Sequence, residues 1–140
     1  MQAGEVHGPI LIVEDNVDER ELMALCLTRR GHMVVSVASG EEAMSKLRRG
    51  LSPCCILLDL QMPDKDGFCF RLEQLADPQF ADIPVILWSA HPEIHGVAER
   101  MGAAAFFPKG CRLSDVADGV LASCGDPEMI EELRKREPGS

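Results

Sequence analysis

The sequence predicts an α/β protein in which helices cover both faces of a parallel sheet. Short apolar runs alternate with longer amphipathic stretches five times along the 140 residues. Several of these runs are apolar at every position, which is typical of strands buried on both faces. A succession of five β-then-α units favours parallel strands that are joined by helices.

The first unit begins with the apolar run 9–13 (PILIV), which predicts a strand. Asn16 is expected to cap a helix that extends to about Arg30, and Gly31 follows as a C-terminal stop. Four residues repeat at helical spacing along this helix: Leu22, Leu25, Cys26 and Arg29.

The second unit combines a strand over 33–38 (MVVSVA) with a helix that ends at Gly50. Ser39 and Glu42 form the pattern S-x-x-E, which predicts a capping box at the start of that helix. The third strand is the apolar run 54–58 (CCILL).

A loop rich in Pro and Asp, residues 61–67, separates the third strand from a helix over about 68–75. The fourth unit is expected to be a strand over 85–88 and a short helix that has Pro92 in its first turn and ends near Gly102. The fifth unit is expected to be a strand over 103–107 and a helix that is capped by Ser114 and extends to about Cys124.

The predicted domain covers residues 1–125, and residues 126–140 are predicted to form a C-terminal helical extension or linker. Within that extension, the charged stretch 128–136 is expected to be a surface helix.

Composition argues against several functional classes. Fourteen basic against 23 acidic residues give a net charge of −9 and a pI near 4.8, so a phosphate backbone would be repelled on average. No direct nucleic-acid contact is therefore expected. No apolar run approaches the roughly 20 residues that cross a bilayer, and residues 1–8 lack the pattern of a signal peptide. We expect a cytoplasmic protein that does not contact membranes.

The cysteines do not follow a metal-binding pattern. None forms a C-x-x-C pair, and no His has zinc-finger spacing to them. Reduced thiols are expected, and a disulfide framework has little support. The six positions are Cys26, Cys54, Cys55, Cys69, Cys111 and Cys124.

Chemically active side chains follow four of the predicted strands. Glu14 and Asp15 follow the first strand, Asp59 the third, Ser89 the fourth and Lys109 the fifth. In open α/β sheets, functional groups lie beyond the carboxyl ends of the strands, where the strand order reverses. With the first and third strands flanking that point, three carboxylates are expected to meet in one shallow cleft.

These groups together suit phosphoryl transfer. Three close carboxylates repel one another unless a cation compensates them, and Mg²⁺ is the divalent cation that prefers oxygen ligands. Lys109 adds a second positive charge, and the Ser89 hydroxyl can donate a hydrogen bond to the same group.

Each of these residues has an ordinary explanation when it is taken alone. An acidic pair after a strand is often a helix cap, a single Asp59 is often a turn residue, and Lys109 by itself is a surface lysine. The functional hypothesis depends on the coincidence of suitable groups at four strand ends.

Four sequence blocks resemble those of the response-regulator receiver family, and the similarity extends from about Pro9 to Cys124. The blocks are ILIVEDN (10–16), ILLDLQMPDKDG (56–67), VILWSA (85–90) and FFPKG (106–110). The resemblance implies a flavodoxin-like (βα)5 three-layer sandwich whose five-stranded parallel sheet has the order 2-1-3-4-5.

The resemblance also implies roles for individual residues. Asp59 would be the phosphoacceptor, Asp15 a direct Mg²⁺ ligand and Glu14 a ligand through a bound water. Gln61 would bind the metal through its backbone carbonyl, and Lys109 would pair with the phosphoryl group.

Further implied roles concern switching and rate. Ser89 would turn toward the phosphoryl group, and Phe106 would act as the aromatic switch. Gln61 and His91 hold the positions two residues after Asp59 and Ser89, where they would set the dephosphorylation rate. The alternative for His91 is an exposed loop residue without such a role.

The resemblance implies that the protein is a regulatory phosphoacceptor in phosphorelay signalling and not an enzyme. It would assist its own phosphorylation and dephosphorylation. The phosphoryl donor would be a sensor histidine kinase or a phosphotransfer protein. The partner after switching would be a downstream protein target, and a homodimer is left open.

The sequence departs from the family pattern after Lys109. The family usually has a proline there, joined through a cis peptide, whereas this sequence has Gly110 after the lysine and Pro108 before it.

Three other classes of protein share parts of this pattern. A haloacid-dehalogenase-like enzyme needs a second acid two residues after the nucleophile, where Gln61 stands. A flavin or dinucleotide binder needs a Gly-rich loop after the first strand, which is acidic here. A receiver-like scaffold that binds partners without phosphorylation stays open.

Overall fold

Strands and helices alternate along the chain in the computed structural model, which describes residues 8–60 and 67–124. In these two ranges no helix is long and apolar enough to cross a membrane. Residues 61–66 of the loop expected at 61–67, the extension at 126–140 and its helix at 128–136 lie outside the described residues. The elements are β1 (Ile10–Val13), α1 (Val17–Arg29), β2 (Val34–Val37), α2 (Gly40–Arg48), β3 (Cys55–Leu58), α3 (Gly67–Ala76), β4 (Val85–Ser89), α4 (Ile94–Met101), β5 (Ala105–Pro108) and α5 (Leu113–Cys124).

The five strands form one sheet in the order β2-β1-β3-β4-β5, and every neighbouring pair is parallel. Both the fold class and the strand order expected from the sequence are confirmed. The chain order reverses between β1 and β3, where Val13 pairs with Leu58. The residues that follow these two strands therefore emerge side by side at the same edge of the sheet.

Side chains from the two faces of the sheet form two separate apolar cores. Strand residues such as Leu11 and Leu58 pack against α2, α3 and α4. Their neighbours Ile12 and Leu57 point the other way, against α1 and α5. Because β1, β3 and β4 are buried at every position, both faces of these strands must be apolar, which explains the unbroken apolar runs.

The helix boundaries confirm several of the predicted signals. Asn16 Oδ1 accepts a hydrogen bond from the Glu19 backbone N–H at 2.9 Å, which caps α1. Ser39 Oγ accepts one from Glu42 N–H at 3.1 Å, and the Glu42 carboxylate reaches back to a backbone N–H, as in a capping box. Gly31, which follows the α1 C-cap residue Arg30, has a φ of +94°, a conformation that glycine adopts without strain.

The buried face of α1 differs from the residues at helical spacing that the sequence suggested. Leu22 and Leu25 are 55% and 48% exposed, whereas Met23 and Leu27 are fully buried. The helix offers apolar side chains on more than one face, and packing against α5 and the sheet selects the face that carries Met23 and Leu27.

Two helix starts were predicted wrongly. Helix α5 begins at Leu113, so Ser114 lies within its first turn, and the Arg112 carbonyl accepts the backbone N–H of Asp115 at 3.1 Å. Helix α4 begins at Ile94, two residues after Pro92. Local start signals shift by one or two residues when the strand-to-helix turn is fixed by packing.

The expectation of reduced thiols is wrong for one pair, because Cys54 and Cys124 are joined by a disulfide with a Cα–Cα distance of 5.2 Å. Cys54 directly precedes β3 and Cys124 ends α5, so packing of α5 on the sheet brings together residues that are 70 positions apart. The other described cysteines, Cys26, Cys55, Cys69 and Cys111, take no part in this disulfide.

Candidate functional site

The carboxyl ends of the strands carry the chemically active side chains to one edge of the sheet. Glu14 and Asp15 follow β1, Asp59 follows β3, and Lys109 follows β5. They line a cleft of about 470 Å³ together with Asn16, Glu19 and Ala90. The meeting of these side chains, which the order of the sequence motifs predicted, is confirmed.

Three carboxylates converge in this cleft. One oxygen from each of Glu14, Asp15 and Asp59 lies within 4.8 Å of the others. Glu14 is 1% exposed and Asp59 is 5% exposed, whereas Asp15 is half-buried. Glu14 is held in place from the backbone, since its Oε2 accepts the Asn16 N–H at 3.1 Å.

The ammonium group of Lys109 faces these acids from the end of β5. Lys109 Nζ lies 2.8 Å from Glu14 Oε1 and 4.0 Å from Asp59 Oδ2. It also donates a short hydrogen bond to Glu19, a residue in the first turn of α1. The ammonium lies 4.5 Å from the centre of the Trp88 ring, which adds a cation–π contact.

The environment of the cleft shifts the pKa values of Glu14 and Lys109. Burial raises the pKa of Glu14 to about 7, and the charge of Asp59 adds to this, against the opposing contacts with Lys109 and Asn16. Burial by itself would lower the pKa of Lys109, but its hydrogen bonds and the charges of the surrounding carboxylates raise it. The lysine therefore carries its positive charge throughout the neutral range.

The backbone of β5 holds Lys109 at the end of the sheet. Its N–H donates to the Ser89 carbonyl at 3.1 Å, and the Pro108 carbonyl accepts the Cys111 N–H at 3.0 Å in the turn that follows. Among the described residues no peptide bond is cis, so the turn containing Gly110 has a trans backbone.

Ser89 is fully buried at the end of β4, and its Oγ accepts the His91 N–H at 3.2 Å. His91 is half-buried, its Nδ1 accepts the Glu93 N–H at 3.0 Å, and its ring meets Phe68 edge-on at 5.9 Å. His91 is thus bonded to Ser89 and is not an exposed loop residue.

Phe106 occupies the β5 position expected for the aromatic switch and is 37% exposed. Its ring lies against His95 of α4, with ring centres 5.1 Å apart. These two side chains line a shallow cavity between α4 and β5. Gln61, named as a metal ligand and rate-tuning residue, lies outside the described residues.

Sequence reasoning missed three residues that shape the cleft. Glu19 contacts Lys109, although the pattern N-x-x-E at 16–19 would by itself have suggested only a capping role. Arg20 Nη1 donates to the Glu14 carbonyl at 2.8 Å. At Gly67, a Cβ atom would lie 2.3 Å from the Asp59 carbonyl oxygen, so α3 begins directly against the backbone of that residue.

The fold and the cleft together define a class of protein: a parallel α/β domain with an acidic site and a lysine at the reversal point of its sheet. Residues 10–120 match the family described as "Response regulator receiver domain". The chain therefore belongs to the response regulator receiver family of two-component signalling.

Relatives and solved structures agree with this family. The transcriptional regulatory protein AfsQ1 of Streptomyces coelicolor is 39% identical over 83 residues, which cover 58% of this chain and 34% of that protein. The chemotaxis protein CheV3 of Helicobacter pylori is 30% identical over 115 residues, or 73% of this chain and 36% of the relative. The chain thus spans about a third of the length of these curated relatives.

A similar fold is known from a crystal structure of the phosphorylated cyanobacterial phytochrome response regulator RcpA. It is 31% identical, has a TM-score of 0.71, and the match covers 82% of this chain and 91% of that one.

Proposed function

We propose that Asp59 accepts a phosphoryl group from a sensor histidine kinase or a phosphotransfer protein. The observation that carries this proposal is the position of Asp59 in the cleft, within reach of two further carboxylates and 4.0 Å from the Lys109 ammonium. The crystal structure of the phosphorylated response regulator RcpA supports the same chemistry.

The donor set of the cleft fits a Mg²⁺ ion. Glu14, Asp15 and Asp59 offer hard oxygen ligands close to one another. The buried Glu14 Oε1 meets the Lys109 ammonium at 2.8 Å, and no other donor reaches this oxygen in the described part of the chain. These three residues would hold the ion, with Gln61 as a further proposed ligand. When bound, Mg²⁺ would offset part of the negative charge on the phosphoryl oxygens.

In the proposed reaction an Asp59 carboxylate oxygen attacks the phosphorus of the donor's phosphohistidine. The new O–P bond forms as the N–P bond breaks, and the departing imidazole takes up a proton. The product is an aspartyl phosphate, a mixed anhydride on a carboxylate. Lys109, already beside Asp59, would pair with an oxygen of the transferred group.

The same proposal assigns the switch to Ser89 and Phe106. The Ser89 hydroxyl would turn to donate a hydrogen bond to the phosphoryl group, and the Phe106 ring would leave His95 and move inward. The surface formed by α4, β5 and α5 would then change shape, which is a population shift driven by a local charge. His91 and Gln61 would set the rate at which water removes the group.

The proposed output is contact with a downstream protein target. The net charge of −9 disfavours direct contact of this chain with nucleic acid. We propose that residues 1–125 form the receiver unit and that residues 126–140 form a helical extension or linker. We also propose the cytoplasmic location that the sequence suggests.

Labelling with radioactive acetyl phosphate tests the acceptor directly. With Mg²⁺ present we expect label on the wild-type protein that hydroxylamine removes, as it does from acyl phosphates, and none after Asp59→Asn. Asp82→Asn is the matched control, because Asp82 is exposed and precedes β4 at the opposite edge of the sheet.

Two results would contradict the proposal. Label retained by Asp59→Asn at another residue would show that the acceptor is wrong. Absence of label on the wild-type protein, with Mg²⁺ and acetyl phosphate in excess, would favour the alternative of a scaffold that binds partners without phosphorylation.

A further inference from the structure

The ammonium of Lys109 is shared between carboxylates that belong to different elements. Glu14 follows β1, and Glu19 lies in the first turn of α1. Both contacts are shorter than the 4.0 Å that separates Lys109 Nζ from Asp59 Oδ2. In the unphosphorylated protein the lysine is therefore drawn toward β1 and α1, and away from the proposed acceptor.

Glu19 differs from the other acids around the lysine. Its side chain is 42% exposed, and its own backbone N–H is bound to Asn16, so its position is fixed by the cap of α1. It is absent from the group of three carboxylates that lie within reach of one ion. Its contact in the cleft is with the lysine.

We propose that Glu19 is a positioning residue that holds the Lys109 ammonium toward α1 and thereby slows phosphoryl uptake by Asp59. This inference rests on the proposed function, since it concerns the lysine that pairs with the transferred group. A phosphoryl group carries more negative charge than one carboxylate, so the ammonium would leave Glu19 once the group is attached to Asp59. Glu19 would then act on the unphosphorylated state alone.

A change in charge near the cleft would by itself alter the approach of an anionic donor, so the test needs a control for charge. Asp18 is next to Glu19 in the same helical turn, is exposed, and lies outside the ion pairs that Lys109 forms in the described part of the chain. Asp18→Asn and Glu19→Gln alter net charge equally. Glu19→Asp keeps the charge and shortens the reach by one methylene.

The first readout is the initial rate of labelling by acetyl phosphate at saturating Mg²⁺. We expect Glu19→Gln to be labelled about fivefold faster than wild type, the factor that corresponds to an ion pair of ~1 kcal/mol. Asp18→Asn should change the rate less than twofold, and Glu19→Asp should lie between wild type and Glu19→Gln.

The second readout is the fluorescence of Trp88, whose ring is 4.5 Å from the Lys109 ammonium. Glu19→Gln should change its emission in the free protein, before any donor is added, whereas Asp18→Asn should leave it unchanged. In a Lys109→Met background the effect of Glu19→Gln on Trp88 should disappear, because the group that moves is absent.

The outcomes separate the two proposals. If wild-type Asp59 is never labelled, the proposed function fails and this inference fails with it. If wild type is labelled but Glu19→Gln is no faster than Asp18→Asn, the role of Glu19 alone is overturned. An effect on Trp88 that persists in the Lys109→Met background would also overturn it.

Discussion

Neutralising the buried carboxylate of Glu14 should stabilise the protein in a way that depends on pH. Its side chain is 1% exposed and lies beside Asp15 and Asp59, with Lys109 as the compensating cation. Burial raises the pKa of Glu14 from 4.5 to about 7. The folded state therefore binds a proton more tightly at this position than the unfolded chain does.

The sign of the effect follows from proton linkage. A folded-state pKa above the unfolded value gives stability that is fully present below 4.5 and is lost as the pH rises through 7. The shift corresponds to about 3 kcal/mol of unfolding free energy at ~1.4 kcal/mol per pKa unit. Glu14→Gln keeps the shape of the side chain without its charge. The difference in unfolding free energy between this variant and wild type should therefore grow by about 3 kcal/mol between about pH 5 and about pH 8.

Urea unfolding in EDTA, followed by Trp88 fluorescence at a series of pH values, measures this difference. Glu21→Gln is the matched control, because Glu21 is an exposed carboxylate on the same helix, α1. Addition of Mg²⁺ should stabilise wild type and Glu21→Gln more than Glu14→Gln. Unfolding free energies that run parallel for wild type and Glu14→Gln across this pH range would refute the reasoning.

Two further predictions concern the scaffold of the site. Gly67→Ala should lower the unfolding free energy by about 2 kcal/mol or more in urea, since its Cβ would overlap the backbone of residues 59–60. Gly110→Ala, whose Cβ would meet nothing within 4 Å, should be nearly neutral, and equal losses at the two positions would contradict the packing argument. Reductant should lower the unfolding free energy of wild type by about 4 kcal/mol, because the Cys54–Cys124 bond closes a loop of 70 residues. Cys54→Ser should be insensitive to reductant, and a wild type that is equally insensitive would contradict a disulfide between these residues.

Most residues of the cleft could be predicted from local sequence, because the carboxyl ends of parallel strands lie at the same edge of a sheet. Glu14, Asp59 and Lys109 each stand directly after an apolar run, and the alternation of strands and helices was enough to expect them together. The helix caps at Asn16 and Ser39 could be predicted from sequence as well, since a capping hydrogen bond joins residues only three positions apart.

Contacts between side chains that are distant in sequence could not be predicted in this way. The pairing of Glu19 with Lys109 joins residues 90 positions apart and depends on how α1 sits relative to β5. The buried face of α1 was uncertain for the same reason, because Leu22 and Met23 are both apolar and only the packing against α5 buries the second.

The sequence by itself determined the order and type of the elements and the acids and lysine at the strand ends, because these depend on apolar periodicity and on residues adjacent in the chain. The tertiary structure decided which carboxylates hold Lys109, which face of α1 is buried and which cysteines pair. Those outcomes depend on distances through space between separate elements. Docking of helices on the sheet sets these distances, and local pattern does not encode them.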